Sequence, residues 1–248
     1  MEFIDTHIHL QDYKQKCATD IIKAAEETGL KKLVCAAVLE SDWKKIAAFA
    51  ADYPKMIVPA FGLHPWYLHD ISAGWQTRLE QMLVTFPTAL VGETGLDRLR
   101  NPDKQPQFDI FLTHISLAKK YCRPLLVHSV KAAEWLYECW KILPQKFVMH
   151  SFNGRMDLLQ KAVKAGGYIS FSASILKNRD KEQLIRAVPA GRLLVETDGP
   201  YQSAEKDRES SPDFIPRLIE AIAEIREEKS TALAQKIYQN SLEFIKPW

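Results

Sequence analysis

The sequence has no CxxC pair. Its four cysteines, Cys17, Cys35, Cys122 and Cys139, are scattered through 248 residues. That spacing excludes a thiolate metal site and a disulfide scaffold, and points to free thiols in a reducing compartment. Cys35 lies in an apolar run and reads as a small buried hydrophobe. A long hydrophobic stretch is also missing. The longest apolar run, Leu33 to Leu39, has seven residues, against the ~20 that a membrane-spanning helix needs. The amino end, Met1-Glu2-Phe3-Ile4-Asp5, has no basic leader. The expectation is a cytoplasmic chain without membrane contact. Charge of one sign is absent too: 33 Lys and Arg against 31 Asp and Glu leave +2, too little for a general grip on a polyanion. Any nucleic-acid contact must be local.

What is present is a repeat. Short apolar or β-branched runs alternate with stretches of helical period. Strands are expected at Phe3 to His9, Leu33 to Val38, Ile57 to Leu63, Ala89 to Glu93, Leu125 to His128, Phe147 to His150, Tyr168 to Ser172 and Leu193 to Asp198. They recur about every 27 residues, close to the ~30 of a βαβ step. Eight steps predict a (β/α)8 TIM barrel, one domain over 1–248. Helical faces are expected at Ile46, Phe49 and Ala50, at Leu79, Met82, Leu83 and Phe86, and at Phe111, Ile115 and Ala118. After the eighth strand come a polar stretch at 203–212, read as a lid or as disorder, and two helical patterns. The second of these, through Leu233, Ile237 and Phe244, is expected as an extra C-terminal helix across the barrel.

Barrel enzymes carry their chemistry at the carboxyl ends of the strands. Here those ends hold His7 and His9, His64, Glu93, His128, His150 and the triplet Glu196-Thr197-Asp198. Five of the seven histidines fall at such positions, while His69 and His114 lie in loop or helix patterns. Alternation puts His7 and His9 on one side, facing the axis if Ile8 faces the helices. Clustered imidazoles and buried carboxylates at one rim are costly unless a cation compensates them. Six ligands, His7, His9, Glu93, His128, His150 and Asp198, exceed one tetrahedral zinc with an open position. They fit two divalent ions sharing a carboxylate bridge, and Glu93 has the two oxygens for it. Imidazole and carboxylate donors suit Zn or Mn, and Mg where oxygen ligands dominate.

Seven ordered segments carry a family resemblance: Asp5-Thr6-His7-Ile8-His9, Gly62-Leu63-His64-Pro65, Val91 to Asp97, Leu126 to Ser129, His150 to Gly154, Leu194 to Pro200, and Asn240-Ser241-Leu242. On these the chain resembles the TatD-type metal-dependent hydrolases of the amidohydrolase superfamily. The resemblance implies that His7, His9 and Asp198 hold one ion, His128 and His150 a second, and that Glu93 bridges them. It implies Mg- or Mn-dependent hydrolysis of DNA and places His64 near the reacting phosphate as a substrate contact. Three segments depart from the family: Ser129-Val130-Lys131 where an arginine usually follows the strand-five histidine, Arg208 to Pro212 in place of Arg-Asn-x-Pro, and Ser-Phe-Asn-Gly at strand six. They leave the metal ligands intact and bear on substrate identity.

Asp198 and Glu93 are the expected catalytic carboxylates, Asp198 also as acceptor of a proton from the attacking water. Asp97 is expected either to orient a ligand or to hydrogen-bond within a loop turn. His64, Arg98 and Arg155 are the expected substrate contacts, with Arg100, Lys177 and Arg179 on the same rim and Trp66, Tyr67, Phe152 and Tyr201 as stacking candidates. The function expected is phosphodiester hydrolysis on single-stranded or short DNA by a monomer or weak homo-oligomer. The alternatives are hydrolysis of an amide, lactone or other carbonyl substrate, and a non-catalytic metal-binding homologue.

Overall fold

The structure, a computed structural model, describes residues 1–100 and 102–248. Eight strands form one parallel sheet in chain order. They are β1 Phe3–Ile8, β2 Leu30–Ala36, β3 Ile57–Phe61, β4 Leu90–Asp97, β5 Leu125–Val130, β6 Phe147–Met149, β7 Tyr168–Phe171 and β8 Leu193–Val195. Between them run α1 Ala18–Thr28, α2 Glu40–Asp52, α3 Trp75–Thr85, α4 Lys104–Lys120, α5 Ala133–Tyr137, α6 Met156–Lys164 and α7 Lys181–Ala187. Two more, α8 Ile215–Arg226 and α9 Ser230–Phe244, follow the last strand. The sheet's two edges meet: Thr6 Oγ1 donates to Val195 O at 2.9 Å, Asp198 N to His7 O at 3.0 Å, and His9 N to Gly199 O at 2.7 Å. This is the expected (β/α)8 barrel. Among the described residues no helix is long and apolar enough to cross a membrane.

Alternation along the strands splits the core in two. Ile4, Val34, Val58, Leu126, Val148 and Leu194 point into the barrel, near the amino ends of their strands, and pack with Phe244 and Ile245 from the end of α9. The extra helix is therefore the barrel's floor. Neighbours of opposite parity, such as Leu33, Ile57, Leu125, Phe147 and Leu193, pack outward against the helices. Ile46 and Ala50, Leu79 and Leu83, and Phe111, Ile115 and Ala118 are the helix residues buried there, while Phe49, Met82 and Phe86 are only partly covered.

Simple alternation fails at the two places that matter most. In β1, Ile4 and Thr6 face inward, but the β1–β2 register slips between Asp5 and Ile8. Ile8 then joins the outer core, and His7 and His9 turn to the axis. A bulge shifts the phase by one residue and re-aims side chains in this way. A second slip lies between Val91 and Thr94 in β4, beside Glu93. That strand was expected to stop at Glu93; it continues to Asp97, pairing Gly95 with His128 and Asp97 with Val130. At Gly95 (φ +149) any Cβ would collide with the His128 carbonyl oxygen, so the pairing requires glycine. β8 stops three residues short of Asp198, which turns the chain at φ +54.

The stretch 203–212 is tied to the segment after β1. The Glu209 carboxylate accepts from Lys14 N at 2.8 Å and Gln15 N at 3.2 Å, and Tyr13 OH donates to Ser210 O at 2.6 Å.

Two measurements follow. Phe244 is fully buried in the floor layer, so Phe244→Ala should cost about 3–5 kcal/mol, read as a lower urea midpoint with an unchanged slope. His114 of α4 is fully buried and accepts from Leu63 N at 3.2 Å while donating from Nδ1 to Ile110 O at 2.7 Å. Burial pushes its pKa from 6.5 down to about 4. Above pH 6.5 the folded and unfolded forms are both neutral here; below it the unfolded chain takes up a proton that the folded chain refuses. Stability should therefore fall as pH drops from 6.5 toward 4, by about 3 kcal/mol from this residue. His114→Gln should be less stable at neutral pH but lose less on acidification.

Candidate metal centre

Seven side chains from six strand ends meet at the barrel mouth: His7, His9, His64, Glu93, His128, His150 and Asp198. None is more than 8% exposed. The Glu93 carboxylate is the hub. Its Oε1 lies 2.8 Å from His150 Nε2, 2.9 Å from His128 Nδ1 and 3.2 Å from His64 Nε2. Its Oε2 lies 3.2 Å from His7 Nε2 and 3.5 Å from His9 Nε2. Asp198 Oδ1 stands 3.2 Å from His9 Nε2 and 3.7 Å from His7 Nε2.

Hydrogen bonds on the outer side decide what these contacts mean. His9 Nδ1 lies 2.9 Å from Ala36 O, His128 Nε2 lies 3.1 Å from Asp97 Oδ2, and His150 Nδ1 lies 3.2 Å from Glu196 Oε1. Each outer partner is an acceptor, so each outer nitrogen carries the hydrogen. In neutral imidazoles the inner nitrogens then present lone pairs to carboxylate oxygens. That is repulsive unless a cation, proton or metal, lies among them. His64 differs. Its Nδ1 accepts from Trp66 N at 3.2 Å, so its inner Nε2 carries the hydrogen and donates to Glu93. His64 thus presents a donor to Glu93 where His9, His128 and His150 present lone pairs.

Without metal, protons satisfy the cluster. Burial lowers His9, but hydrogen bonding to and charge on Asp198 prevail and lift it to about 9. His150 and His128 are likewise raised against burial, the first by Glu93 and Glu196, the second by Asp97 and Glu93. Burial pushes Glu93 up, yet the charge of His150 and the hydrogen bond from His128 hold it well below the usual carboxylate range. Burial drives His64 down to about 4 and also lowers His7, so these two are neutral. Donor atoms within 4.8 Å of one another could hold a divalent ion in three groups: His7, His9 and Asp198; His64, Glu93 and His128; and His7, His150 and Glu196. His7 Nδ1 and Glu196 Oε2 are buried without a hydrogen-bond partner among the described residues. The first group coincides with the first expected ion. The second and third bring in His64 and Glu196, which were not among the expected ligands.

Asp97 performs both roles read for it, taking His128 on Oδ2 and the Leu99 and Arg100 amides on Oδ1 at 2.9 Å each. Two contributors were given no role from sequence: Glu196, although it was named at its strand end, and Gln202. Glu196 orients His150 and accepts from Ser151 N at 2.6 Å; its signal was its parity with Asp198. Gln202 donates from Nε2 to Asp198 Oδ2 at 2.6 Å, while its Oε1 accepts from Ser151 and Ser172 hydroxyls at 2.7 Å. Nothing in local spacing marks it. The expected arginines are elsewhere. The exposed Arg155 guanidinium pairs with Asp157 at 2.7 Å and Glu134 at 3.3 Å, and Arg98 is exposed, 5.9 Å from the Trp135 ring centroid. Neither lines the mouth cavity, nor does Lys131, whereas Trp66, Tyr67 and Tyr201 do. Phe152 is 4% exposed and packs in the core.

Residues 4–246 match the family described as TatD related DNase. The chain belongs to this family. Among its members, the "3'-5' ssDNA/RNA exonuclease TatD" of Edwardsiella piscicida is 28% identical over 89% of this chain and 90% of its own length. Human "Deoxyribonuclease TATDN3" is 25% identical over 96% of this chain and 93% of its own. The crystal structure of YjjV, a TatD homologue from Escherichia coli K12, superposes with a TM-score of 0.90 at 27% identity, covering 98% of this chain and 97% of that one. A TatD-family centre with Glu93 as its hub should fail when that charge is removed. Glu93→Gln should abolish tight Mn2+ binding in calorimetry, with metal-free melting shifted by only a few degrees because the inner imidazoles can shed their protons. Unchanged Mn2+ stoichiometry and affinity would contradict the hub role.

Proposed function

We propose that the chain is a divalent-metal-dependent phosphodiesterase that trims single-stranded or short DNA from an end. The observation carrying this reading is the set of inward imidazole nitrogens facing the Glu93 carboxylate at the mouth of a barrel of this family. The exonuclease named among its relatives supports the substrate class. His7, His9 and Asp198 would hold one ion and His128 and His150 a second, with Glu93 between them. Divalent ions bound there supply positive charge for the phosphoryl oxygens and lower the pKa of a water at the site.

The chain's own residues do the rest. Asp198 would be the proton acceptor: Gln202 donates to its Oδ2 and Oδ1 faces His9 and His7, so the carboxylate is held still beside the ligand cluster, as a base for the attacking water needs to be. His64 is neutral and carries its hydrogen on the nitrogen facing the centre, which suits a donor to a non-bridging phosphate oxygen. The six buried polar groups around Glu93 exclude bulk water and strengthen each of these interactions.

The test is turnover of a short single-stranded oligonucleotide with Mg2+ or Mn2+, in parallel with aryl phosphodiester, lactone and amide substrates. Cleavage of the oligonucleotide and aryl phosphodiester, abolished by a chelator, is expected. Opening of a lactone or amide with both phosphodiesters untouched would overturn the reading. His64→Ala should lower turnover about 10²–10³-fold with Mn2+ stoichiometry retained; a lost ion would place His64 among the ligands.

A further inference from the structure

Nucleic-acid strands are ordinarily held through their phosphates, yet the mouth of this barrel is short of positive charge. The cavity over Glu93 has a volume of about 330 Å3, and none of its fourteen described lining residues is lysine or arginine. Three of the rim cations are engaged elsewhere: Arg155 on Asp157 and Glu134, Lys177 on the Ser203 carbonyl, Arg208 on Glu205. Arg100 reaches the lining, with its guanidinium 4.6 Å from the centroid of Trp66.

The mouth offers aromatic surface instead. Trp66 and Tyr201 remain 40% and 50% exposed. They flank the histidine cluster at its two ends. Trp66 stands beside His64 and His128, with centroids 5.0 and 6.3 Å apart, and Tyr201 beside His9 at 5.6 Å. Neither ring is loose: Trp66 Nε1 donates to Asp97 Oδ2 at 2.5 Å, and Tyr201 OH to Asp12 Oδ2 at 3.0 Å. Exposed aromatic rings held still by their polar atoms are pre-organised stacking platforms, and the Arg100 guanidinium on Trp66 extends one of them. Asp12 beside Tyr201 and Asp97 beside Trp66 leave the charge next to both rings negative rather than positive.

We propose that the mouth grips a nucleic-acid strand by its terminal bases, stacked on Trp66 and Tyr201, with about one phosphate besides the scissile one in ionic contact. This rests on the phosphodiesterase reading above. A cavity at the small end of the ~300–1,000 Å3 range of ligand sites admits about one nucleotide unit, and a base can stack there only if its own strand has already released it.

Salt dependence separates this from an electrostatic grip. For single strands, log K falls with log salt at about 0.7 per phosphate contact. The KM of a Mn2+-loaded enzyme for a short single-stranded oligonucleotide, taken across about a tenfold range of KCl at fixed Mn2+, should therefore rise with a slope no steeper than about 1.4, which is about 0.7 for the scissile phosphate and about 0.7 for its one neighbour. Trp66→Ala and Tyr201→Ala should each raise that KM about 5- to 150-fold, the 1–3 kcal/mol of a stacked base. An oligonucleotide with an abasic terminus should raise the wild-type KM similarly and add little in the variants. Should Trp66→Ala fail to fold, as its melting curve would show, Tyr201→Ala and the wild-type slope decide. Hydrolysis of bis(p-nitrophenyl) phosphate by the wild type reports the centre alone; its absence, with the oligonucleotide also intact, would sink the phosphodiesterase reading and this proposal with it. Activity on it combined with a slope of about 2 or more, or with abasic ends handled like normal ones, would overturn the stacking proposal only.

Discussion

Three imidazoles have their outer nitrogens committed to acceptors, and their inner nitrogens face carboxylate oxygens. Ala36 O, Asp97 and Glu196 fix His9, His128 and His150, while Glu93 and Asp198 wait on the inner side. A cation must complete this arrangement, and much of the local backbone is explained by the need to build it. The slip in β1 brings His7 and His9 to the axis together. The slip in β4 and the glycine at position 95 let that strand carry Glu93 inward and then reach Asp97, four residues on, behind His128.

Such a cluster opposes stability. Each buried ion forfeits several kcal/mol of hydration, only partly recovered from its partners. The barrel separates this cost from the parts that hold it together. Polar groups occupy the carboxyl end of the strands, and the apolar layer of Ile4, Val34, Val58, Leu126, Val148 and Leu194, sealed by Phe244 and Ile245, occupies the amino end. Below the cluster, polar side chains bridge opposite edges of the sheet, as Thr6 does to Ser170 Oγ at 3.0 Å and Asp5 to the Thr197 amide at 3.0 Å. The metal centre therefore sits on a rigid floor whose packing does not depend on it.

The barrel and the inner ring of the site were legible because both follow from chain-local signals. Apolar runs at a regular interval declare the strands, and a histidine or carboxylate ending such a run can only lie at the rim. Gln202 and the true positions of the arginines were not legible. Gln202 reaches Asp198 through a left-handed residue beyond β8, at φ +52, which no period announces. Arg155 follows the sixth strand, which suggested a phosphate contact from sequence, but Asp157 two residues on and Glu134 across the loop claim its guanidinium. Strand ends were misjudged for the same kind of reason: β4 runs on because β5 pairs with it, a tertiary fact.

Metal binding should displace the protons that satisfy the inner nitrogens in its absence. Calorimetric titration of the metal-free protein with Mn2+ near pH 7.5, repeated in buffers of different ionisation enthalpy, counts those protons directly. The account predicts release of about two or more protons per chain, falling as pH rises past the range where His9, at about 9, gives up its own. Binding without proton release, or no binding at all, would contradict the claim that the Glu93 cluster is built around a cation.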